Sequence, residues 1–182
     1  VATKKQAKSI VAESAKSLNM PYITERWPGG LLTNFSTIRK SIKKMNSIDT
    51  MKEDGTFDTL SKREKLQIER TREKLELNFG SIENMNRIPE AIFVVDINKE
   101  HIAIAEANKL GMRSYAMVDT NTNPKLVDFP IPANDDSTKS ISKIMQIISE
   151  AIAEGLSERS KTIEENAKIK QEKAKEILNK DN

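Results

Sequence analysis

Two short apolar runs, Ala91-Ile92-Phe93-Val94-Val95 and Ser114-Tyr115-Ala116-Met117-Val118, each end in an aspartate, Asp96 and Asp119. The runs are brief, rich in β-branched and aromatic residues, and do not alternate with polar positions. That is the pattern of strands covered on both faces. Between them, residues 100–110 favour a helix, and Gly111 ends it. A strand, a helix and a second strand of this length return parallel, with the helix laid over the sheet. A polar loop (Thr120 to Lys125), a short apolar piece (Val127 to Ile131) and a helix from about Ser137 to Glu154 continue the rhythm. Asn134-Asp135-Asp136 is placed to cap that last helix. The spacing predicts an α/β domain: a parallel sheet with helices on both faces.

The first half of the chain is helical. Ala7, Ile10, Val11, Ala15 and Leu18 form a stripe that predicts a helix over about Lys4 to Leu18, with Thr3 as its cap. Asn19-Met20-Pro21 stops it, and Tyr22-Ile23-Thr24 reads as a short strand. Phe35, Ile38, Ile42, Met45 and Ile48 mark a second helix from about Asn34 to Ile48. Asp54-Gly55-Thr56-Phe57-Asp58 is a turn, and Ser61 with Glu64 has capping-box spacing for a third helix reaching about Leu77. Apolar positions on that third helix are sparse. The pair is expected to form an antiparallel helical hairpin that projects from the body. Residues 34–79 are thus an insertion into an α/β domain made of 1–33 and 80–156, and residues 157–182 are a charged C-terminal helix or tail. Val1-Ala2-Thr3 looks like the end of a strand, so the natural protein is expected to begin upstream.

Charge is unevenly placed. Hydrophobic residues make up 37% of the chain and charged ones 31%, which suits a modest core bearing long solvated helices. Residues 1–75 carry 16 Lys/Arg against 9 Asp/Glu, whereas residues 76–156 carry 7 against 12. A basic half beside an acidic half points to a polyanion met by one face. The chain has no cysteine, which excludes thiolate chemistry and cysteine-based zinc sites, and one histidine, His101, which excludes multi-histidine metal centres. No apolar run reaches membrane-spanning length.

Candidate contact residues follow from these clusters. Lys4, Lys5 and Lys8 gather where the first helix begins, beside free backbone N–H groups. Arg39, Lys40, Lys43 and Lys44 form two like-charged i/i+4 pairs on the second helix, an arrangement that costs a few tenths of a kcal/mol unless an anion offsets it. Arg63, Lys65, Arg70 and Arg72 extend the patch onto the third. Between the first two helices, Arg26-Trp27-Pro28-Gly29-Gly30-Leu31-Leu32-Thr33-Asn34-Phe35 packs a guanidinium, an indole and paired glycines into ten residues. Trp27 has two readings: it stacks on a base, or it plugs the joint between hairpin and sheet. A competing reading makes Asp96 and Asp119, at the carboxyl edge of the sheet, the centre of an α/β enzyme. Against it, strand-end carboxylates commonly cap the next helix, and neither a phosphate-binding glycine fingerprint nor a G-x-S-x-G elbow is present. A third reading is a protein-docking module acting through its coiled coil.

The same motifs resemble a known family. Thr3-Lys4-Lys5-Gln6-Ala7, the Arg26–Phe35 segment with Thr37-Ile38-Arg39-Lys40-Ser41-Ile42-Lys43, Asp54-Gly55-Thr56-Phe57-Asp58, Arg72-Glu73-Lys74-Leu75-Glu76, Pro89-Glu90-Ala91-Ile92-Phe93-Val94-Val95-Asp96, His101 to Asn108, Val118-Asp119-Thr120-Asn121 and Ile131-Pro132-Ala133-Asn134-Asp135-Asp136 stand in family order. Together they resemble the bacterial or organellar second protein of the small ribosomal subunit. That resemblance implies a Rossmann-like α/β domain with a protruding coiled-coil hairpin and no catalytic activity or cofactor. It implies binding to small-subunit ribosomal RNA near the junction of head and body, late entry into assembly, and a cytoplasmic place in the ribosome. Implied partners are neighbouring small-subunit proteins, including ribosomal protein one, and no membrane. The family's amino-terminal segment has no counterpart here. Local departures are Pro28 after the Trp, Ser81 and Asn86-Arg87 where glycines are usual, and Ala133 before Asn134. Arg87 is thereby a candidate for an added phosphate contact.

Overall fold

A computed structural model describes residues 1–180, with side-chain surroundings described for residues 1–163. Its helices are α1 (Lys8–Ser17), α2 (Phe35–Glu53), α3 (Lys62–Phe79), α4 (His101–Lys109) and α5 (Thr138–Lys180). Its strands are β1 (Ala91–Val95), β2 (Arg113–Val118) and β3 (Phe129–Pro132).

The three strands form one parallel sheet in the order β1-β2-β3, with Ala91 beside Arg113 and Tyr115 beside Phe129. Both faces are covered, as the unalternating runs predict. On one face Ile92, Val94, Ala116 and Val118 meet Ala103, Ile104 and Ala107 of α4, along with Trp27, Leu31 and Leu32. On the other, Val95 and Met117 meet Val11 of α1 and Ile141 and Met145 of α5. β3 lies at the edge, and its Pro130 and Pro132 remove donors that would otherwise recruit another strand.

The amino-terminal expectations need correction. α1 begins at Lys8 rather than near Lys4. Thr3 caps no helix; its amide and hydroxyl both donate to Glu100 Oε1. Tyr22–Thr24 belongs to no strand, although Ile23 accepts a bond from the Ala2 amide at 2.9 Å. Val1 does act as a strand end. Its nitrogen donates to the Phe93 carbonyl at 2.7 Å and its carbonyl accepts from Val95 at 3.0 Å, the pattern of a parallel bridge to β1.

Ile38, Ile42, Met45 and Ile48 of α2 are buried along one stripe, whereas α3 buries no residue fully. Where the two helices pack, Arg72 of α3 donates from Nε to Asp49 Oδ1 at 2.9 Å. Their connection uses Gly55 at φ +74° and the Thr56–Thr59 turn, with Phe57 beneath the ammonium groups of Lys52 and Lys65. The capping box is formed: Ser61 N donates to Glu64 Oε2 at 3.0 Å, and Glu64 N donates to Ser61 Oγ at 3.4 Å. α5 runs unbroken through Gly155, so no break separates it from the expected tail. The side chains of that tail beyond residue 163 lie outside the described residues.

Met45→Ala should lower unfolding free energy by about 2–5 kcal/mol, because it empties a fully buried site under α2. Leu77→Ala, on a residue 65% exposed, should change it by no more than ~0.5 kcal/mol. Urea denaturation of the two variants measures both.

Candidate nucleic-acid interface

The Arg26–Phe35 loop is held by a carboxylate that sequence reasoning missed. Glu106 of α4, only 8% exposed, points into the loop. Its Oε1 accepts from Trp27 Nε1 at 3.1 Å and from the Gly30 amide at 2.7 Å. Its Oε2 accepts from the Leu32 amide at 3.0 Å, the Thr33 amide at 3.2 Å and the Thr33 hydroxyl at 3.3 Å. Burial alone would push this carboxyl up. The donors from Gly30, Trp27, Thr33 and Leu32 outweigh it and hold the group below its ordinary value of 4.5.

Gly30 earns its place in that cradle. Its φ of +85° lets the amide turn toward Glu106, and a Cβ there would meet Asn34 Cβ at 3.3 Å. The Gly30 carbonyl then accepts from Asn34 N at 2.7 Å, which starts α2 directly after the loop. The chain from Trp27 to α2 is therefore fixed to α4.

Trp27 is 6% exposed, and its indole N–H is spent on Glu106. It plugs the joint and offers no face for a base, so the stacking role is withdrawn. Lys4 is corrected too. It is 8% exposed, and its ammonium lies 3.3 Å from Asp96, 2.6 Å from Asp135 and 2.7 Å from Asp136. Burial opposes its charge, but Asp135, Asp136 and Asp96 together raise the ammonium above its ordinary value. It is an internal counter-ion, unavailable to phosphate.

The remaining candidates are spread over the surface. Lys5, Arg26, Lys40, Lys43, Lys44, Arg63, Arg70 and Arg87 are exposed and form no ion pair among the described residues. Lys8 pairs with Glu25 at 2.9 Å, Lys65 with Asp58 at 3.3 Å, and Arg72 with Asp49 and Glu76. Arg39 donates to the Asn86 carbonyl at 2.9 Å and bridges α2 to the loop before β1. Lys40, Lys43 and Lys44 line the solvent side of α2, opposite its buried stripe.

The carboxyl edge of the sheet holds the expected acids, arranged as structural groups. Asp96, at φ +71°, accepts from the amides of Asn98 at 3.0 Å and Lys99 at 3.2 Å, which turns β1 into α4. Asn134 accepts from Asp136 N at 2.8 Å and Ser137 N at 2.9 Å, a turn just ahead of α5, so it caps none of the helix's own amides as expected. Asp119, Asp135 and Asp136 bring oxygens within 4.8 Å of one another, a spacing that a cation could bridge. The Lys4 ammonium lies against Asp135 and Asp136 and supplies positive charge there. His101 is exposed, with Nδ1 3.1 Å from the Asn98 carbonyl, and faces none of these acids as a partner. No described helix is long and apolar enough to cross a membrane.

Residues 1–155, which include this loop, α2, α3 and the sheet, match the family described as Ribosomal protein S2. The chain belongs to that family. It is 66% identical over 159 residues to the small ribosomal subunit protein uS2 of Flavobacterium johnsoniae, covering 87% of this chain and 63% of that relative. The protein of the same description from Flavobacterium psychrophilum is 65% identical over 160 residues, covering 88% of this chain and 60% of the relative. That from Cytophaga hutchinsonii is 56% identical over 172 residues, covering 94% and 67%. The chain thus spans about three fifths of the length of the Flavobacterium relatives.

Glu106→Gln should destabilise the fold by at least ~2 kcal/mol at neutral pH, because it leaves buried donors facing an amide. A carboxyl held below 4.5 stabilises the fold above that pH, and the contribution is lost as pH falls through its folded-state value. The gap in urea midpoint between parent and variant should therefore shrink on acidification below 4.5. Lys4→Met removes the only ammonium bonded to Asp135 among the described residues. It should cost about 3–5 kcal/mol in the same measurement.

Proposed function

We propose that this chain is an RNA-binding structural component of the small ribosomal subunit, without catalytic activity, that supports subunit assembly and translation in the cytoplasm. The observation that carries the reading is the set of exposed, unpaired cations on α2 and α3. Lys40, Lys43, Lys44, Arg63 and Arg70 crowd like charge onto two neighbouring helices. Phosphate is the partner that compensates such crowding, and each contact releases counterions. Family membership and the printed description of the relatives support the ribosomal setting.

In this reading the body is Rossmann-like, made of residues 1–33 and 80–156. Residues 34–79 are an antiparallel coiled-coil hairpin, and 157–182 are an appended charged helix. The ribosomal RNA meets Lys5, Lys8, Arg26, Arg39, Lys40, Lys43, Lys44, Arg63, Arg70, Arg72 and Arg87. Neighbouring small-subunit proteins, ribosomal protein one among them, meet the remaining surface. Recognition rests on RNA shape and backbone rather than on base sequence.

One feature favours a second use of the hairpin. Leu66 and Leu77 of α3 are 48% and 65% exposed, an apolar addition to a helix whose other exposed positions are polar or charged. Docking of a neighbouring protein there is compatible with RNA on α2.

The chain should co-sediment with the small subunit at low salt and leave it progressively as salt rises. Substituting Lys40, Lys43 and Lys44 together by Gln should reduce the slope of log affinity against log salt by about 2–3, at ~0.7–0.9 per lost contact. The urea midpoint should stay where it is. An unchanged slope removes α2 from the interface.

A further inference from the structure

A cleft of about 680 Å³ opens between the end of α1 and the loop that runs from α3 to β1. One wall is Lys16 to Tyr22 and the other is Gly80 to Pro89. Both walls are fixed by bonds between them and beyond them. The Ser81 hydroxyl donates to the Tyr22 carbonyl, which joins the two walls. Asn19, at φ +57°, turns the chain sharply after α1, and its amide donates to the Lys16 carbonyl at 3.0 Å. Arg39 holds the opposite rim through the Asn86 carbonyl at 2.9 Å and the Asn86 side-chain oxygen at 3.3 Å.

The chemistry of the lining is one-sided. Its charged groups are Lys16 and Arg87, both exposed and without an ion pair among the described residues. No carboxylate lines it; Glu83 and Glu90, on the same loop, stand outside. Asn19, Asn84 and Asn86 add amide donors and acceptors, and none of them is committed to the core. Tyr22 supplies a half-buried aromatic ring, with the Lys16 ammonium 5.8 Å from its centroid. A cation beside an aromatic face, with a second cation across a gap and amides between them, matches an anion that carries its own flat ring.

We infer that this cleft binds an unpaired nucleotide of RNA. Lys16 and Arg87 meet its phosphate, Tyr22 offers a face to its base, and the asparagine amides face its edges. The inference rests on the RNA-binding reading above and adds to it a site that the charge clusters did not reveal. Arg39 belongs to α2 and also bonds Asn86 at the rim, which links the cleft to the helix that carries Lys40, Lys43 and Lys44.

The test is titration of the isotopically labelled chain with a short single-stranded oligouridylate at low salt, followed by amide chemical shifts, with inorganic phosphate as a parallel arm. The expected result is perturbation at Lys16, Tyr22, Asn84, Asn86 and Arg87. The double variant Lys16→Gln, Arg87→Gln should weaken oligonucleotide binding about tenfold, and its salt slope should fall by about 1.4, at ~0.7 per single-strand contact. Both substitutions are at exposed positions, so the urea midpoint should match the parent. Phosphate alone should perturb the same residues only at much higher concentration; equal affinity for phosphate overturns the nucleotide assignment. Oligonucleotide shifts confined to α2 and α3 overturn the cleft while leaving RNA binding intact. Absence of binding at any salt overturns both.

Discussion

One buried carboxylate decides how the molecule is put together. Glu106 gathers five donors from a stretch of only seven residues, Trp27 to Thr33. Four of those donors would otherwise be buried or half-buried N–H groups with no helix or strand to satisfy them. The loop is a run of turns whose amides divide between backbone carbonyls, as for Leu31 and Asn34, and the Glu106 side chain. Since α2 begins immediately after it, the same contact fixes where the cation-bearing helix starts. The basic surface is oriented by an acidic group that is almost wholly buried.

Lys4 reverses this arrangement at the carboxyl edge of the sheet. A single ammonium lies among Asp96, Asp135 and Asp136, which come from the β1–α4 turn and the start of α5. It joins the amino-terminal segment to two strand-end loops that would otherwise repel one another. Burial pushes the Asp135 carboxyl up, and its Oδ2 has no hydrogen-bond partner among the described residues, so the site depends on the lysine's charge. The edge where an α/β enzyme would hold its ligand is instead joined by an internal ion cluster.

Much of this architecture was legible in the residues. Two unalternating apolar runs ending in aspartate gave β1 and β2, because a strand covered on both faces has no polar side to betray. The stripe Ile38, Ile42, Met45, Ile48 gave α2, and Ser61 with Glu64 gave the start of α3. Asn134 was readable as a turn-former before α5, though its side-chain oxygen bonds the Asp136 and Ser137 amides ahead of the helix and not the amides of the helix itself. What was not legible were charged residues turned inward. A glutamate in a helix and a lysine before one are normally solvated, and pattern reading assigns them so. The one available signal for Glu106 was its position beside the Ala103 and Ala107 stripe, on the face α4 buries. Thr3 misled for a related reason: its partner, Glu100, is remote in sequence. Trp27 was readable as a joint plug from its size, although the carboxylate that holds its N–H was not.

In the proposed setting, RNA phosphate compensates the cations crowded onto α2. The most direct measurement is a density map of an assembled small subunit containing this chain, at side-chain detail. The account predicts Lys40, Lys43 and Lys44 within ion-pair distance, about 4 Å, of phosphate oxygens. Those three side chains directed into bulk solvent, with the acidic half of the molecule against the RNA, would contradict it.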